Sequence, residues 1–354
     1  MIMKRIAGPR KLVAAAVTAA LLFVCAVSAA DQPVRSYATP RTADGHPDLQ
    51  GVWTSATLTR LERPDEFGTR RTLTAEEAAR LEKAESDFVA NAAAPTDLSK
   101  KFTRDCVNLP FGCGYNNFWI DRGSQVISIN GEKRSSIIVE PADGKVPPLT
   151  PERQKVVAAH RGGNFDGPEA RPLGERCLLA FGSSSGPPML PVLYNNHYQI
   201  VQTKDTVTIL VEMVHDARIV RMGATHLPPG IRKWMGDSIG RWEGDTLVVE
   251  TTNFTDQESF RGSTRNLKVT ERLARVGPDT IHYRFTIEDP AAFTQPWSGE
   301  MPFHLTDEHI YEYACHEGNY AMVGVLAGAR EAEQAHTVEP PGTSPGTSRE
   351  APAE

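Results

Sequence analysis

An excess of positive charge is the first thing this chain lacks. Its 354 residues carry 38 Lys and Arg against 44 Asp and Glu, a formal net charge of −6. Nucleic-acid phosphates demand a basic face, so no nucleic-acid partner is expected. Walker loop, Rossmann glycine fingerprint and haem-attachment Cys-x-x-Cys-His are all missing, and no cofactor is expected. Without any Cys-x-x-Cys pair, a zinc site also lacks its usual spacing. Gly182-Ser183-Ser184-Ser185-Gly186 has the letters of a nucleophile elbow. Pro187 and Pro188 follow at once and oppose the helix that an elbow must open.

Cysteine is sparse, and its distribution is informative. Cys25 falls in an N-terminal segment with a basic start (Lys4, Arg5, Arg10, Lys11), an apolar run from Leu12 to Val27 and a small-residue cleavage signal at Val27-Ser28-Ala29. That combination predicts a signal peptide over residues 1–30. A retained anchor is the rival, but the apolar run is short for a bilayer span. The mature protein is expected to be periplasmic or secreted, with no stable membrane anchor after cleavage. Cys106, Cys113, Cys177 and Cys315 then remain in an oxidising compartment, where two disulfides have three possible pairings. Spacing favours Cys106–Cys113 and Cys177–Cys315.

The 40% hydrophobic content is enough for a sizeable core. An N-terminal extension, 31–117, holds a predicted helix at Leu73–Ala92, where Thr74 can cap, Glu76 and Glu77 suit the positive first turn, and Ala78, Leu81 and Phe88 recur at helical spacing. Residues 118–336 read as a β-rich domain with a terminal helix at Asn319–Ala335. Residues 337–354, rich in Pro, Gly, Thr and Ser, read as a disordered tail. Predicted strands are Phe118–Asp121, Gln125–Ile129, Ser135–Glu140, Tyr198–Gln202, Val207–Met213, Arg218–Met222, Arg241–Trp242, Thr246–Phe254, Leu267–Val276, Thr280–Glu288 and His309–Cys315. Turns such as Glu243-Gly244-Asp245 and Gly277-Pro278-Asp279 link several of them. The fold class is mainly β: an antiparallel meander closing into a barrel, with a β-sandwich as the alternative.

Asp48-Leu49-Gln50-Gly51-Val52-Trp53-Thr54 contains a Gly-x-Trp element that resembles the first strand of lipocalin-like barrels. The runs Gly240–Phe254 (GRWEGDTLVVETTNF) and Tyr311–Tyr320 (YEYACHEGNY) resemble signatures of an uncharacterised family of exported bacterial proteins. The first likeness implies a barrel with a lumen; the second brings no reaction with it.

Ionisable residues recur inside apolar β-runs: Glu212, Glu250, Glu271 and Glu312. An unpaired carboxylate is costly to bury, so these face solvent or join a polar network lining a lumen. Strand parity turns Glu271 inward with Leu267, Val269 and Leu273. The leading acid–base group is His215, with Glu212 or Asp216 to orient it, Tyr198 as proton donor, and Arg218 or Arg272 to anchor substrate charge. A polar turn with solvated charges is the competing reading. Asn196 and His197 enter a strand beside Tyr194 and Tyr198, and their amide and imidazole could meet a ligand or simply hold a loop. His316 follows Cys315, and Trp234 and Trp242 could wall a ligand or plug a barrel end. A metal could draw His197, Glu212, His215 and His316 together, but spacing of three on a strand sends side chains to opposite faces, and no metal is expected. The combined expectation is a cofactor-independent acid–base enzyme of lyase, isomerase or hydratase type. Its partner would be a small apolar or aromatic molecule in the lumen. A periplasmic carrier without catalysis is the alternative.

Overall fold

Alternation at period two dictates most of the architecture. In Thr206–Val211 and Thr280–Glu288 every second side chain is buried and the others reach outward, as in strands with one face on a core. The computed structural model describes residues 37–93, 120–159, 164–179, 186–256 and 260–338. The chain divides into Met1–Ala38 and Thr39–Glu354, and the second unit carries every element below. The expected signal peptide, Cys106, Cys113, residues 182–185 and 339–354 of the expected tail lie outside the described residues.

The elements begin with β1 (Gly51–Thr54), α1 (Ala75–Ala93), β2 (Ser128–Ile129), β3 (Glu132–Lys133), β4 (Ile138–Glu140) and α2 (Pro151–Ala159). Then come β5 (His197–Gln202), β6 (Thr206–Val211), β7 (Asp216–Met222), β8 (Asp237–Glu243) and β9 (Thr246–Thr252). The last are β10 (Lys268–Gly277), β11 (Thr280–Glu288), β12 (Trp297–Leu305) and α3 (Ala321–Val338). Nine strands close into a barrel in the order β1-β5-β6-β7-β8-β9-β10-β11-β12, with β1 pairing to both β5 and β12. This closure excludes the sandwich alternative. β4 extends the sheet beside β12, and β2 with β3 forms a separate hairpin.

Three features depart from the expected meander. β7 and β8 run parallel, joined by the crossover through residues 223–236. Residues 309–315 form no strand, and neither do Ile120 and Asp121. Finally, β12 is a strand in spite of Pro302, which breaks the sequence pattern. The Glu300 N–H donates to the Ile137 carbonyl on the β4 side at 3.0 Å, and alternation turns position 302 the same way. There it meets the gap between the β4 and β1 pairings, so a missing N–H breaks no ladder bond.

The lumen is filled by side chains, as expected for a barrel close to eight strands. Tyr198 stacks on Phe303 at 5.6 Å, Phe303 on Tyr283 at 4.7 Å, and Phe285 meets Trp297 edge-on at 5.8 Å. Gly299 makes this possible: a Cβ there would lie 2.5 Å from the Phe285 ring. Outside the wall, α1 starts with a capping box, in which the Glu77 N–H donates to Thr74 Oγ1 and the Thr74 N–H donates to Glu77 Oε2. Glu82 and Glu85 of α1 pair with Lys133 and Arg122, which fixes the segment around 122–133 over the barrel wall.

Cys177 and Cys315 form a disulfide across 138 residues. Replacing both by Ser is expected to lower the unfolding free energy by about 2–4 kcal/mol. Equilibrium guanidinium unfolding of the oxidised protein checks this; an unchanged midpoint would show that the bond joins segments already held by other contacts.

Candidate functional site

Two of the carboxylates buried at the barrel, Glu271 and Glu212, are used differently. Glu271 on β10 points into the lumen and is fully enclosed. Its Oε2 takes a 2.7 Å hydrogen bond from Arg218 Nη1 on β7, and its Oε1 takes one of 2.8 Å from the Tyr283 hydroxyl. Tyr283 in turn accepts the Met189 N–H at 2.8 Å. Arg218, the expected substrate anchor, is thus neutralised internally, although its Nε and Nη2 have no hydrogen-bond partner among the described residues. Tyr198, the expected proton donor, is a core residue whose hydroxyl donates to the Leu190 carbonyl at 3.4 Å. Burial raises the pKa of both tyrosines, helped at Tyr283 by the Glu271 charge. Neither phenol is placed to exchange protons with solvent.

Glu212 behaves otherwise. It follows directly on β6, and its Oε2 lies 2.7 Å from Nδ1 of His197, the first residue of β5. The antiparallel register that pairs Tyr198 with Val211 carries Glu212 directly to His197. The same Oε2 accepts the His197 N–H at 3.2 Å, while Oε1 accepts the Tyr311 N–H at 3.0 Å. A carboxylate can only accept, so His197 Nδ1 carries the proton and Nε2 is left to act as a base. Burial is the largest influence on the imidazole and opposes its charging. The Glu212 hydrogen bond and charge, with Glu308 and Asp121 adding, overcome that, and the His197 pKa is raised. Burial likewise pushes Glu212 upward, but His197 and the Tyr311 N–H outweigh it and lower its pKa.

His197 Nε2 faces a cleft of about 280 Å³ on the outside of the barrel wall, lined by Thr54, Asp121, Ser124, Gln125, His304 and Glu308 among others. Glu308 Oε2 stands 3.4 Å from Nε2. Thr54 of β1 pairs with His197 on one side and His304 of β12 on the other. The two imidazoles therefore sit two strand spacings apart, roughly 10 Å, on one face. The cover of the cleft, residues 121–128, comes close because of Gly123, whose φ of +70° suits glycine and whose Cβ would meet the Ala56 backbone at 2.8 Å.

The other expected site residues scatter. His215 and Asp216 are exposed beyond the end of β6, so Glu212 orients His197 and not His215. His215 keeps a backbone bond to Glu212, and Asp216 caps the Ala217 N–H. The Asn196 amide is occupied with backbone, donating to the Asp121 and Val192 carbonyls and accepting the Val192 N–H. That clamp enters β5 and sets the His197 position. Arg272 is on the outer face with Glu243, whereas Trp242, paired with Leu247 of β9, turns to the inner side, packs against the core and stacks on His46. Trp234 is in a small recess with Pro187 and Phe254, and His316 is exposed beside the disulfide. The four residues weighed for a metal do not converge, and no group of three or more His, Cys, Asp or Glu able to hold a metal occurs among the described residues. The sequence reading missed Asp121, His304 and Glu308 as neighbours of His197. Counting register outward from the β5–β6 turn would have found the His197–Glu212 pair.

The chain matches no protein-family model and no curated protein. The chemistry of the arrangement stands on its own: a histidine oriented by a buried carboxylate, with its other nitrogen turned to a polar cleft, can take a proton and return it.

Two measurements follow. Glu271→Gln leaves the Arg218 charge uncompensated and is expected to cost about 3–5 kcal/mol, whereas Arg218→Met/Glu271→Leu restores most of it; urea unfolding of the three proteins compares them. The second concerns pH. The raised His197 pKa adds stability that is complete below its ordinary 6.5 and fades as pH rises through the higher folded value. The lowered Glu212 pKa adds stability that is complete above its ordinary 4.5 and fades as pH falls through the lower folded value. The stability gap between wild type and Glu212→Gln should therefore be widest between pH 4.5 and 6.5. A gap that does not vary with pH would contradict the pairing.

Proposed function

We propose that this protein is an enzyme in which His197, oriented by Glu212, moves a proton to and from a small molecule held in the outer cleft. The observation that carries the reading is the buried 2.7 Å His197–Glu212 contact with Nε2 facing the cleft. Elimination, isomerisation or hydration suits such a group, since each needs a base and then an acid at neighbouring atoms. His197 supplies the first, and Glu308 or His304 stands within the same cleft for the second. The Thr, Ser and Gln lining favours a substrate with hydroxyl or carbonyl groups. This moves the reaction out of the lumen, which aromatic and aliphatic side chains fill, and away from the apolar substrate that the sequence suggested. We take the barrel as lipocalin-like on the strength of Gly51-Val52-Trp53, which starts the barrel with Trp53 buried under the Arg275 guanidinium. We also read the protein as exported, with which the Cys177–Cys315 disulfide is compatible.

The test is proton exchange. The oxidised protein is incubated in D₂O with a library of small hydroxy and carbonyl compounds, and each is analysed by mass for deuterium uptake or conversion. His197→Asn is expected to reduce the rate on any responsive compound by about 10²–10⁴ while leaving its affinity near wild type. A compound that binds yet returns unexchanged and unconverted from wild type would make this a carrier. Equal rates in wild type and His197→Asn would remove His197 from the chemistry.

A further inference from the structure

A second and larger concavity, about 900 Å³, opens between α1 and the barrel and shares Thr57 with the His197 cleft. Its floor is apolar, made by Leu81 and Phe88 of α1, Leu190 and Val192 of the segment entering β5, Met213 and Phe260. The volume falls within the range of small-molecule sites. Its charges are of mostly one sign: Arg60, Arg122 and Arg261 against Glu85. Arg122 already pairs with Glu85 at 3.3 Å and lies over the Phe88 ring at 4.5 Å. Arg60 and Arg261 are exposed and have no ion-pair or side-chain hydrogen-bond partner among the described residues. Arg261 is also held at φ +54°, in the left-handed region that L residues seldom adopt. Buried Phe260 on one side and Gly262 against Leu149 on the other fix it there.

An apolar floor beneath two uncompensated guanidinium groups selects a molecule with an apolar body and an anionic head. A neutral apolar molecule would leave the arginines unused, and an amphipathic cation would be repelled by them. We propose that this cleft binds a small amphipathic anion, a fatty or aromatic carboxylate. Its body packs between α1 and residues 190–194, and its head pairs with Arg60 and Arg261. The site lies outside the lumen and does not depend on proton transfer at His197.

Calorimetric titration of the full oxidised chain with dodecanoate and with dodecyltrimethylammonium, each below its micelle concentration, tests the assignment. Dodecanoate is expected to bind at one site, more weakly as salt is raised, and the cation at least about tenfold more weakly. Arg60→Gln/Arg261→Gln should bring the two probes to within a few-fold of each other. Ala84→Trp, an exposed substitution on α1 that fills the cleft, should abolish dodecanoate binding without changing the thermal midpoint. No dodecanoate binding to wild type, equal affinity for both probes, or undiminished binding to Ala84→Trp would each overturn the proposal. Turnover is not read in this experiment, so failure here and failure of the proton-transfer reading are separate results.

Discussion

Barrel closure rests on a strand of four residues. β1 (Gly51–Thr54) pairs with β5 on one edge and β12 on the other, and without it the remaining eight strands would form an open sheet, unpaired along β5 and along the part of β12 that β4 does not cover. The same four residues serve both sides of the wall. Trp53 faces inward and is fully buried, while Thr54 faces outward between His197 and His304. Closing the barrel and assembling the outer cleft are therefore one event. In an open sheet the two imidazoles would not line one cleft.

The arrangement of charge follows from the cost of burying it. Glu271 is matched by Arg218; Glu300 by Arg71, Arg134 and His282; Asp237 by Arg221 and His226. Glu300 shows how strongly such matching acts: the hydrogen bond from His282, first among several, holds its pKa down to about 2. Glu212 likewise holds an imidazole, and the second nitrogen of His197 is turned to the outer cleft, 3.4 Å from Glu308.

Local pattern made the hairpins legible. Alternation and short turns marked β5, β6, β9, β10 and β11, and parity on β10 turned Glu271 inward, where the structure has it. What escaped was whatever depends on a distant partner. The Pro302 strand looked broken because sequence does not say that its missing N–H faces a gap between two neighbours. The β7–β8 pairing is parallel because of a crossover that no turn signal announces. His215 attracted attention because Asp216 stands next to it in sequence, yet adjacent strand residues diverge. The true orienting carboxylate reaches His197 across a hairpin, and Asp121, His304 and Glu308 arrive from three further segments. A residue's neighbours in sequence were a poor guide to its neighbours in the cleft.

The disulfide has a topological meaning as well as a stabilising one. Cys177 precedes β5 and Cys315 follows β12, so the bond ties eight of the nine barrel strands into a single covalent ring and leaves β1 outside it. Tension applied to the two ends of the chain passes through the sulfur bridge and bypasses everything between those cysteines. Under load the barrel has one seam, the pairings of β1, and the first strand to peel away is the one that carries Thr54 between His197 and His304. In the reduced protein the ring is a line, and force would reach every strand.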